Sequence, residues 1–360
     1  MSRFHPLRIA RIDRETRDAV AITFDVPADL APQFRFAPGQ HLTLRTRIGD
    51  EDVRRSYSVC SGVQDGTLRI AVKRCAGGLF STYANEALKP GDALEVMPPM
   101  GHFCTPLDAT AARHYVAFAA GSGITPILSI VRTVLAAEPK SQFTLFFGNR
   151  ASATVMFRDE LAALKDVHMT RLNLVHVLSR EAQDIDLLHG RIDGERASAL
   201  LDHWAPLADV DVVFLCGPDA MMRSVHDMLV ARGYPAERIR IERFATSIPR
   251  HEHRPAPVAA GSAAETEVTV ILDGATRTFT LDRTKESILE GGLRHGIEMP
   301  YSCKGGVCST CRCRLVEGEA DMDVNFALED YEVARGFILA CQSYPATDRV
   351  TVNFDETGTG

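Results

Sequence analysis

A chain of 360 residues, 45% hydrophobic and 24% charged, is long enough for two or three globular domains and too ordinary in composition for a disordered or fibrous protein. A formal net charge of −7 argues against a nucleic-acid partner, and no apolar run is long enough to span a bilayer. Nine cysteines behind a start, MSRFHPLRIARIDRET, that lacks the apolar core of a signal peptide predict free thiols in the cytoplasm and not a disulfide framework.

Residues 1–107 read as an all-β domain. Short alternating runs, Leu42-Thr43-Leu44 and Leu68-Arg69-Ile70-Ala71-Val72, are separated by the turn signals Ala37-Pro38-Gly39-Gln40 and Lys89-Pro90-Gly91-Asp92. Many short strands without helical periods predict a barrel or sandwich. Two stretches in this domain carry chemistry. Arg55-Ser56-Tyr57-Ser58 offers a cation for a phosphate, a flat ring for stacking and a hydroxyl, the groups a flavin needs. Gly77-Gly78-Leu79-Phe80-Ser81 places a glycine pair before a predicted helix, whose N-terminal amides suit phosphates; Ser81 there is equally readable as a plain helix cap.

Over 108–245 the pattern changes to strands alternating with helices, with apolar runs at 115–120, 143–147, 172–178 and 212–216, the signature of an α/β domain with a parallel sheet. Gly121-Ser122-Gly123-Ile124-Thr125-Pro126 follows the first of these strands and opens a helix, so that backbone and helix terminus can approach a pyrophosphate. Pro126 stands where a dinucleotide fingerprint has its third glycine, so this stretch is a weak signal alone. Cys216-Gly217-Pro218 ends a later strand; in isolation it is equally a strand-to-helix turn with a buried cysteine.

Residues 246–264, rich in Pro, Ala, Gly and Ser, read as a linker, and His251 and His253 within it as exposed residues of that linker instead of a metal site. The last domain, 265–360, carries 17 Asp+Glu against 9 Lys+Arg, a net of −8, leaving about +1 for the rest of the chain. That acidity is either a solvated surface or a face that docks on a basic partner. Its strands at 268–272 and 278–281 flank a turn at Asp273-Gly274, and Ser287 precedes a predicted helix.

The sharpest signal lies in this last domain. Cys303, Cys308 and Cys311 are spaced C-x4-C-x2-C, and Cys341 follows after 29 residues. This is the plant-type spacing for a [2Fe-2S] cluster held by four thiolates. A structural zinc site would pair two C-x2-C knuckles, and only one is present. Cys313 is the expected non-ligand of the loop.

In their order, R-x-Y-S, G-G-x-x-S, G-S-G-I-T-P and C-G-P resemble the ferredoxin–NADP reductase superfamily. With a plant-type ferredoxin domain at the C-terminus, the whole chain is similar to the reductase components of bacterial oxygenases. FRFAPGQHLTLR, FGNRASATVMFRDEL, LLHGRIDGE and PYSCKGGVCSTC narrow the resemblance to the reductase subunits of phenylacetyl-CoA epoxidases. The resemblance implies a β-barrel flavin domain, an α/β nucleotide domain and an α+β, β-grasp ferredoxin domain. It implies FAD in preference to FMN, and a multisubunit, diiron oxygenase as the electron acceptor. By position it assigns the flavin phosphate, ring and N5 edge to Arg55, Tyr57 and Ser58, and the pyrophosphate to Gly78 and Ser81. Gly121, Thr125, Cys216, Gly217 and Pro218 would surround the nicotinamide nucleotide, with Cys216 beside the nicotinamide. Glu242 and Phe244 would lie beside the flavin's other face.

Cofactor choice rests on Asn149-Arg150 and Ser179-Arg180, which follow the second and third strands of the sheet, where a 2′-phosphate needs cations and hydroxyls. The Ser179-Arg180 pair resembles the NADP-specific branch, so NADPH is expected, with NADH left open. A hydride donor, a flavin and a one-electron cluster together predict an electron-transfer reductase. A self-contained oxygenase or hydrolase is disfavoured, because no histidine has a Glu three residues before it and no G-x-S-x-G occurs. A redox sensor is the alternative from another class, and a ring-hydroxylating dioxygenase or a hybrid-cluster protein the alternative partner.

Overall fold

The computed structural model describes residues 4–244 and 265–356, so the predicted linker and its two histidines lie outside the described residues. The chain divides into two compact units, one built on Phe4–Val53 with Tyr57–Arg243 and the other on the described residues from Phe244 onward, with which Arg54–Ser56 of the barrel's fourth strand are grouped.

The first unit opens with six antiparallel strands: β1 (His5–Thr16), β2 (Ala19–Asp25), β3 (His41–Ile48), β4 (Glu51–Ser58), β5 (Leu68–Lys73) and β6 (Ala93–Val96). Their order is β4-β3-β6-β1-β2-β5, and a bridge between Val59 and Ile70 closes the sheet towards a barrel. Alternate apolar residues of these strands, among them Leu7, Ile9, Ile22, Leu44 and Ile70, fill the interior. Helix α1 (Leu79–Glu86) lies over one side and contributes Phe80 and Ala84 to the same core. The predicted turns are present, with Gln40 N–H bonded to the Ala37 carbonyl and Asp92 N–H to that of Lys89.

The unit continues as a parallel sheet of β7 (His114–Ala120), β8 (Gln142–Asn149), β9 (Leu172–Leu178), β10 (Val212–Cys216) and β11 (Ile239–Glu242), in the order β11-β10-β7-β8-β9. Helices α2 (Ile124–Ala137), α3 (Arg158–Val167), α4 (Gly194–Trp204) and α5 (Asp219–Ala231) connect the strands. The strand order reverses between β7 and β10, so a crevice forms at their carboxyl ends, where sheets of this kind bind ligands. One sheet face carries the stacked rings of Tyr115, Phe143 and Phe214, the other the stacked pair Phe118–Phe146. Helix α2 buries eleven of its fourteen residues. Such a helix needs cover on every side: it rests on the sheet and also meets the barrel turn Val63–Asp65, where the Val63 N–H donates to the Thr133 hydroxyl at 3.1 Å. The buried Glu138 just beyond α2 accepts from Tyr115 Oη, Ser141 Oγ and the Asp108 N–H, which ties the segment joining the two lobes to the sheet.

The second unit holds β12 (Glu265–Leu272), β13 (Ala275–Asp282), β14 (Arg312–Glu317), β15 (Ala320–Met322), β16 (Phe337–Leu339), β17 (Ser343–Pro345) and β18 (Arg349–Asn353). Its main sheet runs β13-β12-β18-β14-β16, with β12 and β18 parallel and the other pairs antiparallel. Helix α6 (Ile288–Arg294) begins at a capping box in which Ser287 and Glu290 exchange backbone-to-side-chain hydrogen bonds, then buries Ile288 and Leu289 in the core. Helix α7 (Asp330–Ala334) precedes β16.

Candidate functional site

The four spaced cysteines converge in the second unit as two pairs. The thiols of Cys303 and Cys308 share one hydrogen bond, and those of Cys311 and Cys341 another. Within each pair one thiol is favoured as the anion and the other as the acid: the bond from Cys308 lowers Cys303 to about 7, while the bond to Cys303 holds Cys308 well above the usual thiol range. Backbone amides surround the sulfurs. Gly305 N–H donates to Cys303 Sγ at 3.3 Å, Cys303 N–H lies 3.5 Å from Cys308 Sγ, and Gly306 N–H reaches Cys341. The loop achieves this by taking Lys304, Gly306 and Ser309 into the left-handed region. At Gly306 a Cβ would also lie 2.8 Å from the Val324 carbonyl, so only glycine fits. Gln342 clamps the arrangement, donating to the Lys304 carbonyl at 3.1 Å and lying 3.6 Å from Cys341 Sγ. Cys313 instead points into the core, where burial pushes its thiol up.

Among the described residues no three His, Cys, Asp or Glu side chains converge on a single-ion position. A tetrahedral zinc needs four ligands around one point, whereas a two-iron cluster takes two thiolates at each end. Two thiol pairs ringed by amide donors fit the two ends of a [2Fe-2S] cluster.

The nucleotide motifs meet at the carboxyl ends of β7 and β10, which pair with Cys216 opposite Ala119. Gly121–Gly123 forms a 3-10 turn leading into α2, with Gly121 at φ +54°. A Cβ at Gly123 would lie 2.1 Å from the Cys216 carbonyl oxygen, so the two turns touch backbone to backbone. Thr125 is buried and donates to the Ser122 carbonyl at 2.9 Å, bracing the turn. Cys216 lies opposite Glu242 in the β10–β11 register. Burial, reinforced by the Glu242 charge, keeps its thiol protonated. Pro218 precedes α5, and Phe244 is half-buried two residues past β11. Arg150 and Ser179-Arg180 follow β8 and β9; both guanidinium residues are exposed, and the Arg180 N–H donates to the Arg150 carbonyl at 2.8 Å.

In the barrel, β4 carries the exposed Arg55 and the half-buried Tyr57 two residues apart, hence on one face, and the buried Ser58 on the other. The Tyr57 ring packs 5.4 Å from that of Phe80, which brings the R-x-Y-S strand beside the glycine turn and the N-terminus of α1. Ser81 is engaged inside that turn: its hydroxyl accepts from the Cys75 N–H and donates to the Gly78 carbonyl, both at 3.1 Å. A Cβ at Gly78 would lie 2.5 Å from this hydroxyl.

Three family models match in succession: an oxidoreductase FAD-binding domain over residues 6–104, an oxidoreductase NAD-binding domain over 118–227 and a 2Fe-2S iron-sulfur cluster binding domain over 270–346. Along 99% of both sequences the chain is 46% identical to a 1,2-phenylacetyl-CoA epoxidase subunit from Escherichia coli (strain K12). The chain belongs to the oxygenase-reductase family. To the ferredoxin reductase component of 3-ketosteroid-9-alpha-monooxygenase from Mycobacterium tuberculosis (strain ATCC 25618 / H37Rv) this reductase is 38% identical, over 97% of the chain and 96% of the relative. Among solved structures it is similar to phthalate dioxygenase reductase, with 27% identity, a TM-score of 0.59 and coverage of 97% and 98%. It is thus an oxidoreductase whose three domains take FAD, a pyridine nucleotide and a [2Fe-2S] cluster. No helix among the described residues is long and apolar enough to cross a membrane.

One charged group was invisible in the reductase's sequence. Arg69, Glu160, Arg132 and Asp65 form a continuous ion-pair chain across the two lobes of the first unit. Its first two members are 91 residues apart, and each alone reads as an ordinary surface charge. Gln342 was also missed; its place directly after Cys341 is the one available signal.

Proposed function

We propose that the reductase accepts hydride from NADPH in its first unit and passes single electrons from its ferredoxin domain to a multisubunit, diiron oxygenase acting on phenylacetyl-CoA. The observation that carries this reading is the joined pair of turns at Gly123 and Cys216, in one chain with the twin thiol pairs. FAD, when bound, supplies the conversion of a two-electron donor's input into the single electrons that a [2Fe-2S] cluster accepts.

The chain's own residues bind, orient and shield. The left-handed Gly121 and the amides opening α2 cradle the nucleotide's pyrophosphate. Gly217 and Pro218 shape the floor, and the protonated, buried Cys216 gives the nicotinamide a neutral wall that competes for neither hydride nor proton. Glu242, on the adjacent strand end, and Phe244 would serve the flavin's other face. Arg55 would neutralise the flavin phosphate, Tyr57 would cover the ring, Ser58 would serve the N5 edge, and the α1 amides beyond Gly78 would take the pyrophosphate, while Ser81 holds their turn in shape. Arg150 and Arg180, exposed at adjacent strand ends, suit a 2′-phosphate and favour NADPH over NADH. The division into domains at 107/108 and across 246–264 belongs to the same proposal.

The oxygenase partner is supported by the relatives, which are named as subunits or components of epoxidase and monooxygenase systems. On the ferredoxin domain, Phe326 is 40% exposed although its N–H is bonded to Gly306 in the cysteine loop, and Tyr331 on α7 is 56% exposed. Asp321, Asp323, Glu329 and Asp330 flank these rings in the sequence, a composition that suits a partner surface basic around an apolar centre.

Anaerobic stopped-flow mixing of the holoprotein with NADPH, and separately with NADH, tests the reading. Flavin bleaching followed by loss of the iron–sulfur bands, faster with NADPH, is expected. A flavin that bleaches while the cluster stays oxidised would remove the cluster from the electron path.

A further inference from the structure

The first unit must hold two cofactor turns in register, and they lie on different lobes. The flavin turn follows β5 of the barrel, and the nucleotide turn opens α2 of the parallel-sheet lobe. The same two elements are cross-braced by charge. Arg69, on β5, directs Nη2 at both carboxylate oxygens of Glu160 on α3, each at 2.7 Å. Glu160 also accepts from Arg132 Nη1 at 2.6 Å, and Arg132 Nε reaches the Asp65 carboxylate, back on the barrel, at 2.8 Å. Side-chain exposures between 14% and 24% put the chain largely out of water, where such pairs are weakly screened. A second tie lies beside it: the Phe157 N–H, at the left-handed residue that starts α3, donates to Glu15 of β1 at 3.1 Å, and the Arg69 guanidinium sits 5.3 Å from the Phe157 ring centre.

Arg132 lies eight residues beyond Ile124, a rise of about 12 Å along α2 from the nucleotide turn. A tilt of the helix at the brace therefore moves the turn at its other end. Glu160 bonds both arginines, so its charge locks one lobe to the other. Hydride transfer depends steeply on donor–acceptor registration, with an error near 1 Å costing about a hundredfold.

We propose that Glu160 is a positioning residue for hydride transfer, setting the register of the nucleotide-bearing lobe on the flavin-bearing lobe through Arg69 and Arg132. This rests on the reading of the first unit as the hydride-accepting centre. It predicts that the brace governs the rate of flavin reduction and leaves the affinity for nucleotide and the onward electron path alone.

The test compares parent, Glu160→Gln, Glu160→Asp and Asp65→Asn holoproteins in anaerobic stopped-flow with NADPH and NADH. In Glu160→Gln the limiting rate of flavin reduction should fall about tenfold or more while nucleotide Kd stays within about twofold. The transient charge-transfer absorbance of the nicotinamide–flavin pair should weaken in parallel, and flavin and iron content and photochemically driven reduction of the cluster should match the parent. Asp65→Asn, which loosens only the outer link, should show a smaller loss of the same kind, and Glu160→Asp, which restores the charge, should recover part of the rate. A parental limiting rate in Glu160→Gln, or a loss confined to Kd, would overturn the proposal, as would a lowered melting temperature with an unchanged charge-transfer band. If the parent itself is reduced by neither nucleotide, the functional reading fails instead, so the two failures are distinguishable.

Discussion

Replacing Gly123 by Ala isolates the contact on which the nucleotide crevice depends. The backbone at Gly123 is ordinary helix, φ −62° and ψ −10°, so alanine brings no conformational penalty and the effect is steric. The new methyl would lie 2.1 Å from the Cys216 carbonyl oxygen and 2.5 Å from its carbon. Ordinary carbon–oxygen contact is about 3.3 Å, so the turn and the end of β10 must part by about 1.2 Å. Both sides are backbone, and no side chain can rotate to absorb the shift. Overpacking of this size costs about 1–3 kcal/mol, against which the stiffer unfolded chain returns about 0.5 kcal/mol. In a unit of this size that is a fall of about 2–8 °C in melting temperature. The functional loss should be larger, because an error of about 1 Å in nicotinamide position is worth about a hundredfold in hydride transfer. Single-turnover flavin reduction across a range of NADPH concentrations separates rate from affinity. A variant with both at parental values would refute the claim that this backbone contact shapes the nucleotide site.

Arg180→Ala should raise KM for NADPH about tenfold and leave NADH within about twofold; equal change in both would remove the 2′-phosphate assignment. Gln342→Leu removes the amide donor 3.6 Å from Cys341 Sγ, which stabilises the more negative, reduced cluster. Loss of about 1 kcal/mol there lowers the reduction potential by about 40 mV, and a spectroelectrochemical titration showing no shift would sink the argument. Burial raises the pKa of Glu15, opposed by the Phe157 N–H and by Arg69, so the folded chain favours the neutral acid. Relative to the unfolded chain this contribution is fully present below the unfolded pKa, about 4, and is lost as pH rises through the folded value. Glu15→Gln keeps an oxygen for the Phe157 N–H, so it should raise the melting temperature at neutral pH, a gain that vanishes below about pH 4. A gain independent of pH would refute the assignment.

What could be read from the sequence divides by the distance over which it is encoded. The cysteine loop is legible because three ligands, the amides that face them and the backbone bends they require all fall within nine residues, and the fourth thiolate keeps the family's spacing. The glycine turns are legible as phosphate-binding geometry, yet their spatial partnership is not. Nothing in Gly121-Ser122-Gly123 announces that Cys216, more than ninety residues later, will press its carbonyl against the last residue of the turn. That contact follows from β10 inserting beside β7, a consequence of strand order that single strands do not encode. Ser81 shows the opposite case: its spacing fits both a phosphate ligand and a cap, and the fold engages its hydroxyl inside the Cys75–Gly78 turn. The charge brace is the extreme. Arg69, Arg132 and Glu160 lie on three elements of ordinary pattern, and only the packing of one lobe on the other gives them a common purpose. Residues that touch a cofactor tend to be local and patterned, because a phosphate or a cluster is small. Residues that hold two cofactor sites in register must span the fold, and a sequence motif cannot contain them.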